Sequence, residues 1–232
     1  MQPEAIIKDL RSMVGEVLLF HSATGKDSIL LCDMLSSAFD KITCCFMYYV
    51  KDLDYEHRYI EWAKNTYKNI NFIETPHFAV YSFIKHGYLG IKRDDVKNVR
   101  LRDINEMVLT NTGLEYTVFG FKKQDSVDRR IMLNSTPTGI TETRKVYPLM
   151  DLTNKEILRR ISDRVLIPPF CYNKMKPSSG CDISDPTFLS YIKRKYPNDL
   201  VKIYETYPQC EAILFRYENK TERNGNNQQV AN

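Results

Sequence analysis

Apolar and polar positions fall into short alternating blocks along this 232-residue chain. Val17 to Phe20 is a compact apolar run, and a polar, glycine-containing turn follows from His21 to Lys26. Ile29, Leu30, Leu31, Met34, Leu35 and Phe39 then recur on one helical face. The order is strand, tight loop, helix, with Asp27 or Ser28 as the expected cap. Lys41 to Val50 is almost continuously apolar and rich in β-formers, as in a strand covered on both faces. A helix is expected over Asp52 to Lys68 and a brief strand over Asn71 to Glu74. A short amphipathic helix over 2–13, with Ile6, Ile7, Leu10 and Met13 on one side, precedes the first strand. Alternation of this kind predicts an α/β fold: a doubly wound, mostly parallel, Rossmann-like sheet flanked by helices.

The second half is less regular. Helical pieces are expected around Ala79–His86 and Leu101–Thr110, and a strand over Glu115 to Phe121. Residues 134–145 are polar and read as a flexible connection. Thr153 and Glu156 form a capping box before a helix whose apolar stripe is Ile157, Leu158, Ile161 and Val165. Pro168 and Pro169 would stop it. Asp185-Pro186 has the cap-and-first-turn pattern of another helix start, and two helices are expected over about 186–196 and 198–217. From Asn219 the chain is polar and poor in apolar residues, so 219–232 is expected to be disordered. The organisation expected is a nucleotide-type domain over 1–185, a helical C-terminal extension over 186–218, and the tail.

Composition narrows the class. Hydrophobic residues make up 43% and aromatics 12%, enough for a real core. No apolar run reaches the roughly 18–20 residues needed to cross a bilayer, and the first residues lack a secretory pattern, so a cytoplasmic protein without a membrane partner is expected. A net charge of +4 admits an anionic ligand without demanding nucleic acid. No long basic stripe with interleaved aromatics occurs, which argues against a nucleic-acid partner. Lys92, Arg93, Lys97, Arg100 and Arg102 form a loose basic cluster, either a solvated face or a lid over an anionic substrate. The six cysteines contain no CxxC pair. Buried, reduced thiols are expected, with no metal site.

The strand–loop–helix junction carries the candidate chemistry. The first N–H groups of a helix lack internal partners, and the helix dipole adds partial positive charge. Gly25 can adopt a positive φ and admits close approach. Ser22 and Ser28 add hydroxyls, and Lys26 adds a cation. The set suits a phosphate or pyrophosphate, although an ordinary capped turn has the same outline, and the Walker A pattern is absent.

Ser22-Ala-Thr-Gly-Lys-Asp-Ser28 resembles the PP-loop of the adenine-nucleotide alpha-hydrolase-like superfamily. The closest branch is the phosphoadenylyl-sulfate (PAPS) reductase family. Gly25, Lys26, Asp27 and Ser28 match, while Ala23 and Thr24 replace the usual Ser-Gly pair. Gly120-Phe-Lys-Lys-Gln-Asp-Ser-Val-Asp-Arg129 resembles the family's G-x-R-x-x-E-S-x-x-R segment. There Gly120, Ser126 and Arg129 match, Lys122 stands for arginine and Asp125 for glutamate. Pro148, Leu149, Asp151 and Thr153 match a third segment, and Tyr172, Gly180 and Cys181 a fourth.

The resemblance implies an enzyme that binds an adenine nucleotide, either ATP or PAPS/adenylyl sulfate, and acts at its α-phosphate or sulfate in sulfur metabolism or sulfur transfer. The binding set it implies is Ser22, Ala23, Thr24, Gly25, Lys26, Asp27, Ser28, Gly120, Lys122, Asp125 and Arg129. Lys26, Asp27 and Cys181 are the catalytic candidates. Cys181 is reactive on one reading and a packing remnant on the other, and Ser184 stands where some relatives have a second cysteine. Mg²⁺ held through Asp27 is compatible with the loop. An iron–sulfur cluster is not expected, because the relatives' later CxxC is missing. The late E-C-G-x-H motif of classical reductases is also missing, and Cys210 is the only late cysteine. Thioredoxin, a partner subunit or a homodimer are the partners compatible with the resemblance. The alternative is a nucleotide-binding module without turnover.

Overall fold

A computed structural model describes residues 2–21, 25–166 and 182–229, with backbone only over 221–229. Among the described residues, β1 (Glu16–His21), β2 (Lys41–Tyr48), β3 (Ile70–Pro76), β4 (Thr117–Val118) and β5 (Lys145–Val146) form one sheet in the order β3-β2-β1-β4-β5. Every neighbouring pair is parallel. The register sets Leu19 between Cys44 and Val118. From β1 the chain winds outward to β2 and β3 on one side, then returns to build β4 and β5 on the other. The carboxyl ends of β1 and β4 therefore flank the point where the winding reverses, which is where ligands of such sheets bind.

Helix α1 (Pro3–Met13) precedes the strands, α2 (Lys26–Ser36), α3 (Asp54–Thr66), α4 (Phe78–His86), α5 (Leu101–Thr112) and α6 (Val127–Asn134) lie between them, and α7 (Asn154–Asp163) comes after β5. α8 (Pro186–Lys195), α9 (Pro197–Thr206) and α10 (Gln209–Gln229) follow. Contacts gather the described residues into two units. The first draws on Met1–Tyr48, Glu56–Pro76 and Arg100–Gly180; the second on Tyr49–Tyr55, His77–Val99 and Cys181–Asn232.

In the first unit the sheet is covered on both faces. Val17, Leu18 and Leu19 of β1 and Ile42, Cys44 and Cys45 of β2 are without exposure. Consecutive strand residues point to opposite faces, so full burial of Cys44 and Cys45 requires cover on each side. Ile6 and Leu10 of α1, Ile29 to Leu31 and Leu35 of α2, and Ile157 and Ile161 of α7 belong to the same core. The Thr153–Glu156 capping box opens α7 as the sequence predicts.

Several elements differ from expectation. The strand expected over Glu115 to Phe121 pairs only at Thr117–Val118. Beyond Phe119 the backbone leaves the ladder and bonds instead to the segment after β5, with Lys123 N donating to Met150 O at 2.9 Å. Residues 134–145 are not a loose connection. Gly139 takes φ +74°, and a Cβ there would lie 2.5 Å from Ile6 Cδ1. Its carbonyl accepts from Tyr147 N at 2.8 Å, and Thr141 N donates to Lys145 O at 2.9 Å. The long helix expected over 198–217 breaks between Thr206 and Gln209, because Pro208 cannot donate a backbone bond and its ring obstructs the turn before it. Helix α10 continues to Gln229 through the polar stretch read as disordered.

The second unit has its own core around α8, α9 and α10. Asp199, with no exposure, accepts from Asp54 N and Tyr55 N at 2.9 Å each and so satisfies the free donors of the first turn of α3. Tyr55 meets Phe188, Tyr191 and Tyr196 edge-on. Within the basic cluster, Lys92 pairs with Asp94 and Arg93 with Asp95 on exposed chain, as on a solvated face. Among the described residues no helix is long and apolar enough to cross a membrane.

Candidate functional site

The site begins where α2 begins. Gly25 is the N-cap, in extended backbone at φ −91°, and as a glycine it offers no side chain to cap the helix. This corrects the expectation that Asp27 or Ser28 caps it, and the positive φ open to Gly25 is not used. Freed from capping, Asp27 turns its carboxylate toward two cations. Its Oδ2 lies 3.0 Å from Lys26 Nζ and 2.8 Å from Lys122 Nζ. Lys122 also reaches Asp125 Oδ1 at 2.9 Å, and its backbone N donates to Asp125 Oδ2 at 2.9 Å. Both lysine side chains are 1% exposed. Lys26, Asp27, Lys122 and Asp125 thus form one alternating chain of charge.

Gly120 makes that chain reachable. A Cβ there would stand 2.9 Å from Asp27 Cβ, closer than carbon atoms of side chains approach. Only glycine lets the end of β4 come this near the first turn of α2. Beyond it, Ser126 caps α6 by accepting from Arg129 N at 3.1 Å. That cap fixes the first turn of α6 and brings Arg129 back over the preceding segment. Its guanidinium carbon lies 3.1 Å from the centroid of the Phe121 ring.

Two polar atoms here are buried without a hydrogen-bond partner: Asp27 Oδ1 and Arg129 Nη1. Such atoms are rare in folded chains and costly to leave unpaired. Burial pulls the Arg129 pKa below its ordinary value, against the raising effect of Asp125 and Tyr147. Burial likewise lowers Lys26, with Asp27 opposing and Lys122 adding to the fall.

The structure brings together Gly25, Lys26, Asp27, Ser28, Gly120, Lys122, Asp125 and Arg129. Ser22, Ala23, Thr24 and Cys181 lie outside the described residues. Phe121 belongs to the site and was not a candidate from sequence. Only its place between Gly120 and Lys122 hinted at it. His21, at the end of β1, was missed as well: it is buried, with Nε2 3.2 Å from the Tyr59 hydroxyl and Nδ1 unpartnered. The four described cysteines are all buried. Burial pushes Cys45 and Cys210 up to about 11, and Cys44 rises through its hydrogen bond to Cys32 and burial. Cys32 falls through the bond from Cys44, yet has no exposure. None of these four offers an accessible thiolate.

No family model and no curated protein matches the chain. Among solved structures it is similar to a phosphoadenylyl-sulfate (PAPS) reductase from Candida auris in a phosphate complex. The identity is 12%, the TM-score 0.48, and the match covers 73% of this chain and 82% of the other. It is also similar to the U34-tRNA thiolase NcsA from Methanococcus maripaludis, solved with its [4Fe-4S] cluster. There the identity is 14%, the TM-score 0.43, and the coverage 91% of this chain and 80% of that one.

Proposed function

We propose that the chain binds an adenine nucleotide at the carboxyl ends of β1 and β4, and acts at its α-phosphate or at a sulfate attached there. The observation that carries this reading is the buried, unpartnered Arg129 Nη1, on the segment that the Lys122–Asp27 pair ties to the first turn of α2. A buried guanidinium nitrogen without a partner is a donor in want of oxygen acceptors. Phosphate and sulfate supply them.

The residues divide the work. The α2 amides and Arg129 bind the anion. Lys26 and Lys122 neutralise charge through the field of the site while their ammonium groups stay paired to carboxylates. Asp27 Oδ1 is a hard oxygen donor without a partner, which fits one ligand position of Mg²⁺, an ion that otherwise keeps waters and phosphate oxygens. Bound there, Mg²⁺ would offset phosphate charge. Transfer at phosphorus needs mainly positioning and charge neutralisation, and these residues supply both. Attack by a thiolate is less well supported, since the four described cysteines are buried; ATP pyrophosphatase chemistry is the version favoured. The reading needs no iron–sulfur cluster.

A module that binds without turnover is the second reading. The engagement of both lysines by carboxylates favours it, because neither ammonium group is then fully available to a transferred phosphate. The deciding experiment presents ATP, adenylyl sulfate and PAPS to pure protein with Mg²⁺, with and without thioredoxin, after its iron content has been measured. Release of pyrophosphate, AMP or sulfite that disappears in Arg129→Gln supports the enzyme. Tight binding with no product supports the module. No binding of any of the three would overturn both.

A further inference from the structure

The sequence resemblance accounts for Gly120, Ser126 and Arg129 but assigns nothing to Phe121. We infer that Phe121 is the positioning residue of the site. Its ring is the platform that fixes the plane of the Arg129 guanidinium and aims Nη1 at the bound anion. The inference rests on the anion-binding reading for its purpose, though not for its geometry.

Three observations carry it. First, the guanidinium carbon lies 3.1 Å from the Phe121 ring centroid, so the cation sits over the ring face, where the quadrupole is negative. Second, the ring is itself held. Phe121 stacks with Phe119 at 5.0 Å and with Tyr147 at 5.9 Å, and Phe119 stacks with Phe20 at 5.0 Å. Phe20, Phe119 and Tyr147 are buried. The stack therefore joins the ends of β1, β4 and β5, and its half-buried end, Phe121, is the ring that meets Arg129. Third, no hydrogen bond does this work at Nη1, which is buried and unpartnered. An arginine with an unsatisfied buried nitrogen would ordinarily swing toward water or a carboxylate, and the charge of Asp125 acts on it here. Contact with the ring holds it back without using up its donors. A carboxylate could hold the guanidinium equally well, but would cancel the charge and occupy the nitrogen the anion needs.

The test separates the ring's electrons from its bulk. Phe121→Leu keeps an apolar side chain of similar reach and removes the π face; Phe121→Tyr keeps the face. In the free protein, the side-chain N–H signals of Arg129, assigned by their loss in Arg129→Lys, report whether the guanidinium is restrained. Restrained signals are expected in the native chain and in Phe121→Tyr, with averaging in Phe121→Leu. In parallel, calorimetry with ATP and PAPS is expected to show affinity about tenfold weaker for Phe121→Leu, which is about 1.4 kcal/mol, and rescued by Phe121→Tyr.

Signals that stay restrained in Phe121→Leu overturn the proposal whatever the affinity does. Averaged signals with unchanged affinity overturn it as well. If the native chain binds neither nucleotide, the nucleotide reading fails. The spectra then still decide whether Phe121 restrains Arg129.

Discussion

The two kinds of cation in the site are placed for different tasks, and single substitutions should separate them. Lys122 is buried between Asp27 and Asp125. Removing it as Lys122→Met takes the cation from two carboxylates that are 20% and 32% exposed, whereas breaking a fully buried pair costs about 3–5 kcal/mol. A smaller loss, about 1–3 kcal/mol, is expected in urea unfolding, since Asp125 is part-exposed and Asp27 keeps Lys26. Arg129 gives up little when replaced, because its desolvation is offset by contact with Phe121 and by the charge of Asp125 rather than by a hydrogen bond at Nη1. Arg129→Gln should change stability by less than about 1 kcal/mol while abolishing nucleotide binding. A pair of variants in which Lys122→Met is stable and Arg129→Gln is not would contradict this division. His77 is the other informative single residue. Burial pulls its pKa down to about 4, and its Nδ1 caps α4 by accepting from Ala79 N at 3.1 Å. Only the neutral ring can accept there. The folded pKa lies below the ordinary value of about 6.5, so the contribution is fully present above pH 6.5. It fades as pH falls from there to 4 and changes no further below. His77→Asn retains an acceptor and does not titrate. Urea midpoints between pH 7.5 and 4.5 should therefore fall less for His77→Asn than for the native chain, and equal falls would contradict the assignment.

At the scale of elements, what the sequence could reveal depended on whether a contact is local. The apolar spacing of Ile29, Leu30, Leu31 and Leu35 is set by one helix, and α2 appears where it predicts, as does the box of Thr153 and Glu156. Asp27 could not be placed by the same logic. Locally it is a good cap, but Lys122, almost a hundred residues on, offers a charged partner, and tertiary charge outweighs capping. The extent of β4 was hidden for a similar reason. Glu115 to Phe121 alternates like a longer strand, but pairing stops where Gly120 must pass Asp27. Helix α6 was invisible because it is eight residues long and buries only Leu133, too few positions to mark a stripe. With α6 unseen, the fold of Arg129 back onto Phe121 could not be foreseen either. Gly120 itself was legible as a motif position, yet its reason is geometric. Gly120→Ala sets a methyl 2.9 Å from Asp27 Cβ, and the strain should cost about 1–3 kcal/mol. More tellingly, it moves the first turn of α2 away from β4, so nucleotide affinity should fall further than stability alone explains. Thr153→Ala is the matched control, expected to cost about 1 kcal/mol through the cap of α7. Binding by Gly120→Ala as tight as by the native chain would mean that the approach of β4 to α2 does not shape the site.

For the molecule as a whole, site and fold are joined through ligand linkage. The site lies where β1 and β4 part, and its side chains come from α2, the segment after β4, and α6. Those residues are near one another only in the folded chain, so a nucleotide has no comparable partner in the unfolded one. A ligand of that kind stabilises by RT ln(1 + [L]/Kd), about 2.7 kcal/mol at a hundred times Kd. For a chain of this length each kcal/mol moves Tm by about 2–4 °C, so saturating nucleotide should raise Tm by roughly 5–10 °C. Two variants make the result diagnostic. Ile42→Val thins a fully buried position of β2 at a cost of about 0.5–1.5 kcal/mol. It should lower Tm while leaving the ligand-induced rise intact, because the strand ends do not move. Arg129→Gln should leave the unliganded Tm nearly unchanged and erase the rise. The two effects are then separable in one scanning experiment. A rise that survives in Arg129→Gln would place the nucleotide away from the winding reversal of the sheet, and with it the chemistry assigned to Asp27 and Lys122.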